Sequence, residues 1–375
     1  MRILHIVPLV SDDSAFGGPV RGTARQCHSL EKLGHNCYIL GLWRGEGTAP
    51  GDVLGVPATL YKFRKLPGHR FATAISFGAL SWIARHRRDY DCVHVHAGRD
   101  LWILLAMILM RILGIPYVWQ THGMLAPRDG IVYKVYDATL TLPALKGAES
   151  VLYLTEYERR DLASVGRTSR VDHVVNGVDN ISSDGEIPAL RGDTSTRAVF
   201  ISRIHPRKRL IDLVEAIMLV RDSGMDARLD IYGPDEGALS AVLSAIKKVN
   251  LEEAISYRGP LPYDQVRPTL RDYDVMVLPS VNEPFPNIVL ESLASGVPVV
   301  LTNSCGLAPY VNDYEAGLVV TPGAESLAEG IAAIAQNPEL ARKSQANGLR
   351  LANEKFTMSG VAGLLSDVYR GGSAK

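Results

Sequence analysis

Short apolar runs alternate with longer stretches in which apolar residues recur every three or four positions, a period-2 or continuous signal giving way to a 3.6-residue one. The chain opens with an apolar strand over residues 1–10. After a polar loop, Ser11 to Gly18, a helix is expected from Pro19 to Gly34, with Val20, Ala24, Cys27, Leu30 and Leu33 as its apolar stripe. The alternation continues through strand 36–43, a mixed segment 60–66, helix 71–85, strand 92–96, helix 100–113, strand 116–121, helix 132–146, strand 150–154, helix 156–163 and strand 171–175. This order predicts a parallel, doubly wound sheet. Asn180 to Thr196, polar and interrupted by Gly185, Pro188 and Gly192, reads as a linker. The rhythm then restarts with strand 198–202, helix 210–222, strand 228–232, helix 236–248, strand 254–257, helix 263–270 and a strand from Asp274 to Leu278. Two helical patterns separated near Phe356-Thr357 fill residues 338–369. The expected organisation is therefore a Rossmann-like domain at 1–180, a second at 195–355, and a helix within 356–375 that crosses back to the first.

Composition leaves this picture intact. A chain of 375 residues favours two domains over one core. Lys+Arg and Asp+Glu are both 40, which argues against a strongly basic nucleic-acid binder and against an acidic disordered chain. Residues 1–180 hold 21 basic and 16 acidic side chains, so the N-terminal half is mildly positive. Tyr61-Lys62-Phe63-Arg64-Lys65, Arg70 and Arg85-His86-Arg87-Arg88 interleave cations with aromatics there; the reading is a solvated face, with peripheral contact to an anionic membrane as the alternative. The 4 cysteines, Cys27, Cys37, Cys92 and Cys305, form no C-x-x-C pair and are expected as reduced thiols in a cytoplasmic protein. Met1-Arg2 leads straight into strand residues, unlike a signal peptide, and the apolar stretch from Leu101 to Leu113 is too short to span a bilayer.

Ligands of doubly wound sheets bind at the carboxyl ends of strands, where several chemistry-bearing residues fall. Gly17-Gly18 ends a strand-to-helix loop in which backbone N–H groups can approach a phosphate or sugar; a tight turn is the alternative, and the G-x-G-x-x-G dinucleotide pattern is absent. Arg203-Ile204-His205-Pro206-Arg207-Lys208-Arg209 places four cations between a strand end and a helix start, an arrangement suited to phosphate. In Pro279 to Val300, two prolines end the strand, so Glu283 lies on a loop and Glu291 inside a helix beginning near Asn287. Two Asp-x-Asp segments, at Arg88-Asp89-Tyr90-Asp91 and Arg271-Asp272-Tyr273-Asp274, precede strands at the end away from the ligand; metal binding is not expected there. His94 and His96 are read as strand-end polar residues rather than metal ligands.

Together these motifs resemble the retaining glycosyltransferases of family 4. The likeness rests on Ser-Arg-x4-Lys at Ser202 to Lys208, Glu-x7-Glu at Glu283 and Glu291, Gly17-Gly18, Thr121-His122-Gly123, Asn176-Gly177-Val178-Asp179 and Tyr232-Gly233-Pro234. It implies two Rossmann-like domains facing across a cleft, the B-type fold, with the acceptor side in the first and the nucleotide-sugar donor in the second. Arg203 and Lys208 would hold the donor diphosphate, and Glu283 would face the sugar hydroxyls. Glu291 would accept from the ribose, and the N–H groups of Asn287, Ile288 and Val289 would reach the diphosphate. Gly17 and Gly18 would line the site, His122 would lie beside the sugar, and Arg258 would approach the base. The implied partners are a nucleotide diphosphate sugar and a glycan or lipid-linked acceptor, with no nucleic acid, no cofactor and no metal. The sequence departs from the family at Pro309, where many members carry an acidic residue that contacts the donor sugar. The competing classes are a nucleotide-sugar epimerase or hydrolase on the same fold, and a non-catalytic nucleotide-sugar-binding protein.

Overall fold

A computed structural model describes residues 1–11, 17–65, 73–179 and 195–371. The chain divides into two units, Met1–Asp179 with Met358–Lys375, and Asn180–Thr357. Residues 180–194 of the predicted linker lie outside the described residues, while its last two, Ser195 and Thr196, already belong to a strand; also outside are residues 12–16 of the first loop, Arg70 of the basic cluster and the expected start of the second helix at residue 71.

In the first unit β1 (Arg2–Ser11), α1 (Gly17–Lys32), β2 (Asn36–Arg44), β3 (Asp52–Val53) and β4 (Val56–Tyr61) are followed by the small strands β5 (Arg64–Lys65) and β6 (Ala74–Ile75). Then come α2 (Phe77–Arg85), β7 (Cys92–His96), α3 (Leu101–Leu113), β8 (Tyr117–Gln120), α4 (Ile131–Tyr136), α5 (Leu142–Gly147), β9 (Ser150–Tyr153), α6 (Glu156–Val165) and β10 (Val171–His173). The sheet order is β10-β9-β8-β7-β1-β2-β4-β3, parallel except for the β3–β4 pair. The expected helix 132–146 is instead α4 and α5 joined by a π-helical turn at Asp137–Thr141. Apolar periodicity does not register one extra residue per turn. Trp102 and Trp119 are fully buried in the core against Met107 and Leu145. Each indole N–H is satisfied by a carbonyl, Pro8 at 3.1 Å and Ala97 at 2.8 Å.

The second unit runs β11 (Ser195–Ile201), α7 (Leu210–Asp222), β12 (Asp226–Tyr232), α8 (Leu239–Lys248), β13 (Ile255–Gly259), α9 (Tyr263–Leu270), β14 (Val275–Leu278), α10 (Asn287–Ala294), β15 (Val299–Thr302), α11 (Ala308–Tyr314), β16 (Gly317–Val320), α12 (Ala324–Gln336) and α13 (Pro338–Lys355). Its six strands are parallel in the order β13-β12-β11-β14-β15-β16. The last helix, α14 (Met358–Tyr369), clusters with the first unit, and Met358 N donates to Val178 O at 3.1 Å. Ser366 and Tyr369 of α14 bond His35 at 2.9 Å and His94 at 2.7 Å.

The repeated Arg-Asp-Tyr-Asp segments have a structural explanation. Asp91 N donates to Arg2 O while Arg2 N donates to the Asp91 carboxylate, at 2.8 and 2.7 Å. Asp274 and Arg197 exchange the same two bonds at 2.9 and 2.7 Å. In each unit an aspartate just before the fourth strand of the Rossmann order grips the first strand where the strand order reverses, fixing that register. These carboxylates are thus occupied by backbone amides.

Gly233, after β12, has φ +144°, and a Cβ there would lie 1.8 Å from the Ser202 carbonyl oxygen at the end of β11. Gly224 also has positive φ, +91°, but open space around it. Gly233→Ala is expected to cost on the order of 3 kcal/mol and Gly224→Ala about 1 kcal/mol, read as urea midpoints at constant m-value. Equal effects would contradict the close approach.

Candidate active site

In the second unit, β11 and β14 lie side by side where the strand order reverses, the place at which such sheets open a crevice. After β11 the His205 ring caps a short 3-10 turn, Pro206–Lys208, by accepting from Arg207 N at 3.1 Å. Arg209, left-handed at φ +50°, then starts α7. This turn carries Lys208 inward, leaving it 4% exposed, while Arg203 and Arg207 stay half exposed. After β14 the chain turns through Asn282, at φ +52°, to Glu283, whose carbonyl accepts from Gly306 N at 2.9 Å. The two loops are tied by Val281 N to Arg207 O, 3.2 Å.

There Lys208 Nζ donates to Glu283 Oε2 at 2.6 Å, with Arg207 Nη2 at 3.9 Å from the same oxygen. Burial lowers the Lys208 ammonium pKa, and the Glu283 carboxylate only partly offsets that. Arg203 Nη1 donates to both carboxylate oxygens of Glu236 at 2.9 Å. Helix α10 starts behind Pro286 with no side-chain cap, so its N-terminal dipole end is one that favours an anion. One turn further, buried Glu291 accepts from Tyr263 Oη at 2.7 Å. This end of the sheet combines cations, backbone donors and carboxylates: phosphate-binding groups beside hydroxyl-binding ones.

The first unit builds a different surface at the ends of β7 and β8. His122 and Gly123 are both left-handed, φ +51° and +71°, a conformation costly for histidine. Buried Glu158 holds that turn by accepting from Thr121 Oγ1, from Gly123 N and, at 2.6 Å, from Leu154 N. Burial raises the Glu158 pKa. His122 Nε2 lies 3.1 Å from His96 Nδ1, and burial pushes the His122 pKa down to about 4.

The N-terminal unit matches the model described as glycosyltransferase family 4 over residues 16–180, and residues 188–350 match the one described as glycosyl transferases group 1. The chain belongs to the GT-B glycosyltransferases. It is 25% identical over 300 residues to a 2-deoxystreptamine glucosyltransferase of Streptomyces kanamyceticus, covering 75% of this chain and 77% of that one. The structure of sucrose-phosphate synthase from Thermosynechococcus elongatus superposes with a TM-score of 0.76 at 19% identity, covering 99% and 98% of the two chains. Anabaena HepE in complex with UDP-glucose gives 0.75 at 16%, covering 99% and 100%. These two likenesses speak to the fold.

Within this glycosyltransferase the structure brings Arg203, Lys208, Glu283, Asn287, Ile288, Val289 and Glu291 to one end of the second sheet. Arg258 is at the carboxyl end of its strand too, on β13, two strands from β11, where it donates to Asp230 at 2.8 Å. A strand-end position in the sequence does not tell an edge strand from the central pair. Gly17 and Gly18 form the first turn of α1 rather than a loop before it, because Pro19 is tolerated anywhere in an N-terminal turn. Sequence reasoning missed Glu236, Tyr263 and Glu158. For Glu158 a signal existed, the capping-box spacing Thr155-x-x-Glu158, whose carboxylate reaches beyond its own helix to the Thr121–Gly123 turn.

The folded pKa of His122 lies below the ordinary value of about 6.5, so the unfolded chain takes up the proton first as pH falls. The stability contributed by neutral His122 is complete above that value and is lost as pH drops toward 4. Urea melts at pH 7 and pH 4.5 should show wild type losing up to about 2 kcal/mol more than His122→Gln over this interval. Equal losses would refute a neutral, partly buried His122.

Proposed function

We propose that the enzyme transfers a sugar, with retention at the anomeric carbon, from a nucleotide diphosphate sugar to a hydroxyl of a glycan or lipid-linked acceptor in cell-surface polysaccharide or glycoconjugate synthesis. The observation carrying this reading is the Lys208–Glu283 pair, 2.6 Å apart at the switch of the second sheet, flanked by Arg203, Arg207 and the α10 N-terminus. Departure of a diphosphate from an oxocarbenium-like sugar develops negative charge on the leaving side. Preorganised cations in a partly buried site stabilise that charge. The donor diphosphate lies against Lys208, Arg203 and the amides of Asn287, Ile288 and Val289. Glu283 aligns the Lys208 ammonium and faces the sugar hydroxyls, and Glu291 with Tyr263 faces the ribose. The two carboxylates hold different parts of the donor, so they do not form the acid and base pair of a hydrolase. A front-face return, in which the leaving phosphate takes the acceptor proton, accounts for retention without an enzyme nucleophile. These side-chain cations neutralise the leaving group, so we assign no metal to the transfer.

We assign the acceptor side to the first unit, with His122 and the α1 start at Gly17-Gly18 as its candidate hydrogen-bonding groups. Uridine diphosphate is the first base to test, because HepE is described with UDP-glucose and the Streptomyces kanamyceticus relative is a glucosyltransferase. No helix among the described residues is long and apolar enough to cross a membrane, so contact with a lipid-linked acceptor is assigned to the surface.

Two measurements test the reading. Uridine diphosphate is expected to raise the melting temperature of wild type and much less that of Arg203→Ala. Lys208→Ala is expected to lower kcat on the order of 100-fold or more with nucleotide diphosphate release followed in the presence of acceptor. Unchanged transfer in Lys208→Ala would remove the assignment. Donor consumption at the full rate without any acceptor would replace transferase with hydrolase or epimerase.

A further inference from the structure

His5, Cys27 and Cys37 come together in the interior of the first unit, their ligand-capable atoms all within 4.8 Å of one another. His94 and His96 form an overlapping group with His5 at the same spacing. The clustering follows from the sheet. Parallel pairing sets Ile3 beside both Cys37 and Cys92, and His5 beside His94, so the side chains of His5, Cys37, His94 and His96 share one face. Helix α1 contributes Cys27. All five are buried.

Two details go beyond soft residues packed in a core. The Nδ1 atom of His5 is engaged with His96 Nε2 at 3.0 Å, and the Nδ1 atom of His94 with Tyr369 Oη at 2.7 Å. Their Nε2 atoms, both buried, have no hydrogen-bond partner among the described residues. Two imidazoles fixed through Nδ1 and open at Nε2 match how metal-bound histidines are held by outer partners. Nothing in a plain apolar core would leave both nitrogens orphaned without cost.

We propose that Cys27, Cys37 and His5 bind a thiophilic d10 divalent ion, zinc, as a structural centre of the first unit, with His94, which lies within that spacing of His5 but is not grouped with the cysteines, shifting to complete a tetrahedron. Metal–sulfur bonds of about 2.3 Å and metal–nitrogen bonds of about 2.0 Å put ligand atoms roughly 3.3–3.8 Å apart, a small contraction from the spacing of His5, Cys27 and Cys37. Binding exchanges two thiol protons for the ion, so two thiolates cancel its charge and the buried set stays neutral. Absence of a carboxylate from both groups disfavours magnesium or calcium. The ion would cross-link β1, β2, β7 and α1, and, through Tyr369, α14. It stands apart from sugar transfer, which uses no group of this centre directly.

The full-length chain, stripped with chelator under reductant, is titrated with zinc against a colorimetric competitor and, separately, with cobalt. Stoichiometric zinc, a rise in melting temperature and a thiolate-to-cobalt charge-transfer band with tetrahedral d–d absorption are expected from wild type. Cys92→Ala and Cys305→Ala should keep both signals, whereas Cys27→Ser and Cys37→Ser should lose the charge-transfer intensity. Wild type that takes up no zinc, or cobalt spectra without a thiolate band, would overturn the proposal whether or not the core variants fold. So would equal zinc binding by folded Cys27→Ser and Cys37→Ser.

Discussion

An ammonium held in the protein interior is the constraint on which the second unit's chemistry depends. Lys208 is nearly inaccessible, and removing a cation from water costs several kcal/mol unless a partner and hydrogen bonds replace the solvent. Glu283 supplies that partner, but only because two loops from adjacent strands meet. One loop needs the His205-capped turn and a left-handed Arg209; the other needs a left-handed Asn282 and the clasp of Gly306. Burial still outweighs the carboxylate in its effect on Lys208, so Glu283 only partly replaces the hydration the ammonium has lost. A diphosphate arriving there meets a charge already desolvated and oriented. That is the condition under which electrostatic stabilisation is largest.

The same strand switch explains the Arg-Asp-Tyr-Asp echo. A parallel sheet whose first and fourth strands are neighbours has no short connection to set their register. Asp91 and Asp274 set it through a reciprocal pair of backbone bonds at the end opposite the ligand site. Register errors there would displace Glu283 relative to Lys208 by a residue, so a carboxylate remote from the chemistry governs the site's geometry.

Much of this was legible in the chain. Alternating periods and the prolines at 279, 284 and 286 placed Glu283 on a loop and Glu291 in a helix, because strand and helix signals act over a few neighbouring residues. Contacts between distant segments were not legible. Nothing local to Lys208 says that its partner is 75 residues away. His94 and His96 looked like polar strand-end residues, yet both are inaccessible. Their burial depends on His5 pairing beside them in the sheet and on α14 returning with Tyr369, both long-range events. The edge-strand position of Arg258 was not legible for a related reason, since strand order decides which strand ends are central.

The histidines also carry information in their direction of hydrogen bonding. Burial drives the His96 pKa well below its ordinary value, so the ring is neutral and has a single N–H. It bonds His5 through Nε2 and His122 through Nδ1, and must therefore accept from one and donate to the other. If His5 presents its Nε2 lone pair to a metal ion, its proton sits on Nδ1 and points to His96. His96 then donates through Nδ1 to His122 Nε2, which leaves His122 its own N–H on Nδ1. The reverse order would put the His122 proton on Nε2. A ligand at the cysteines would thus select one tautomer of His122. It does so through three neutral rings and without moving a charge through the core.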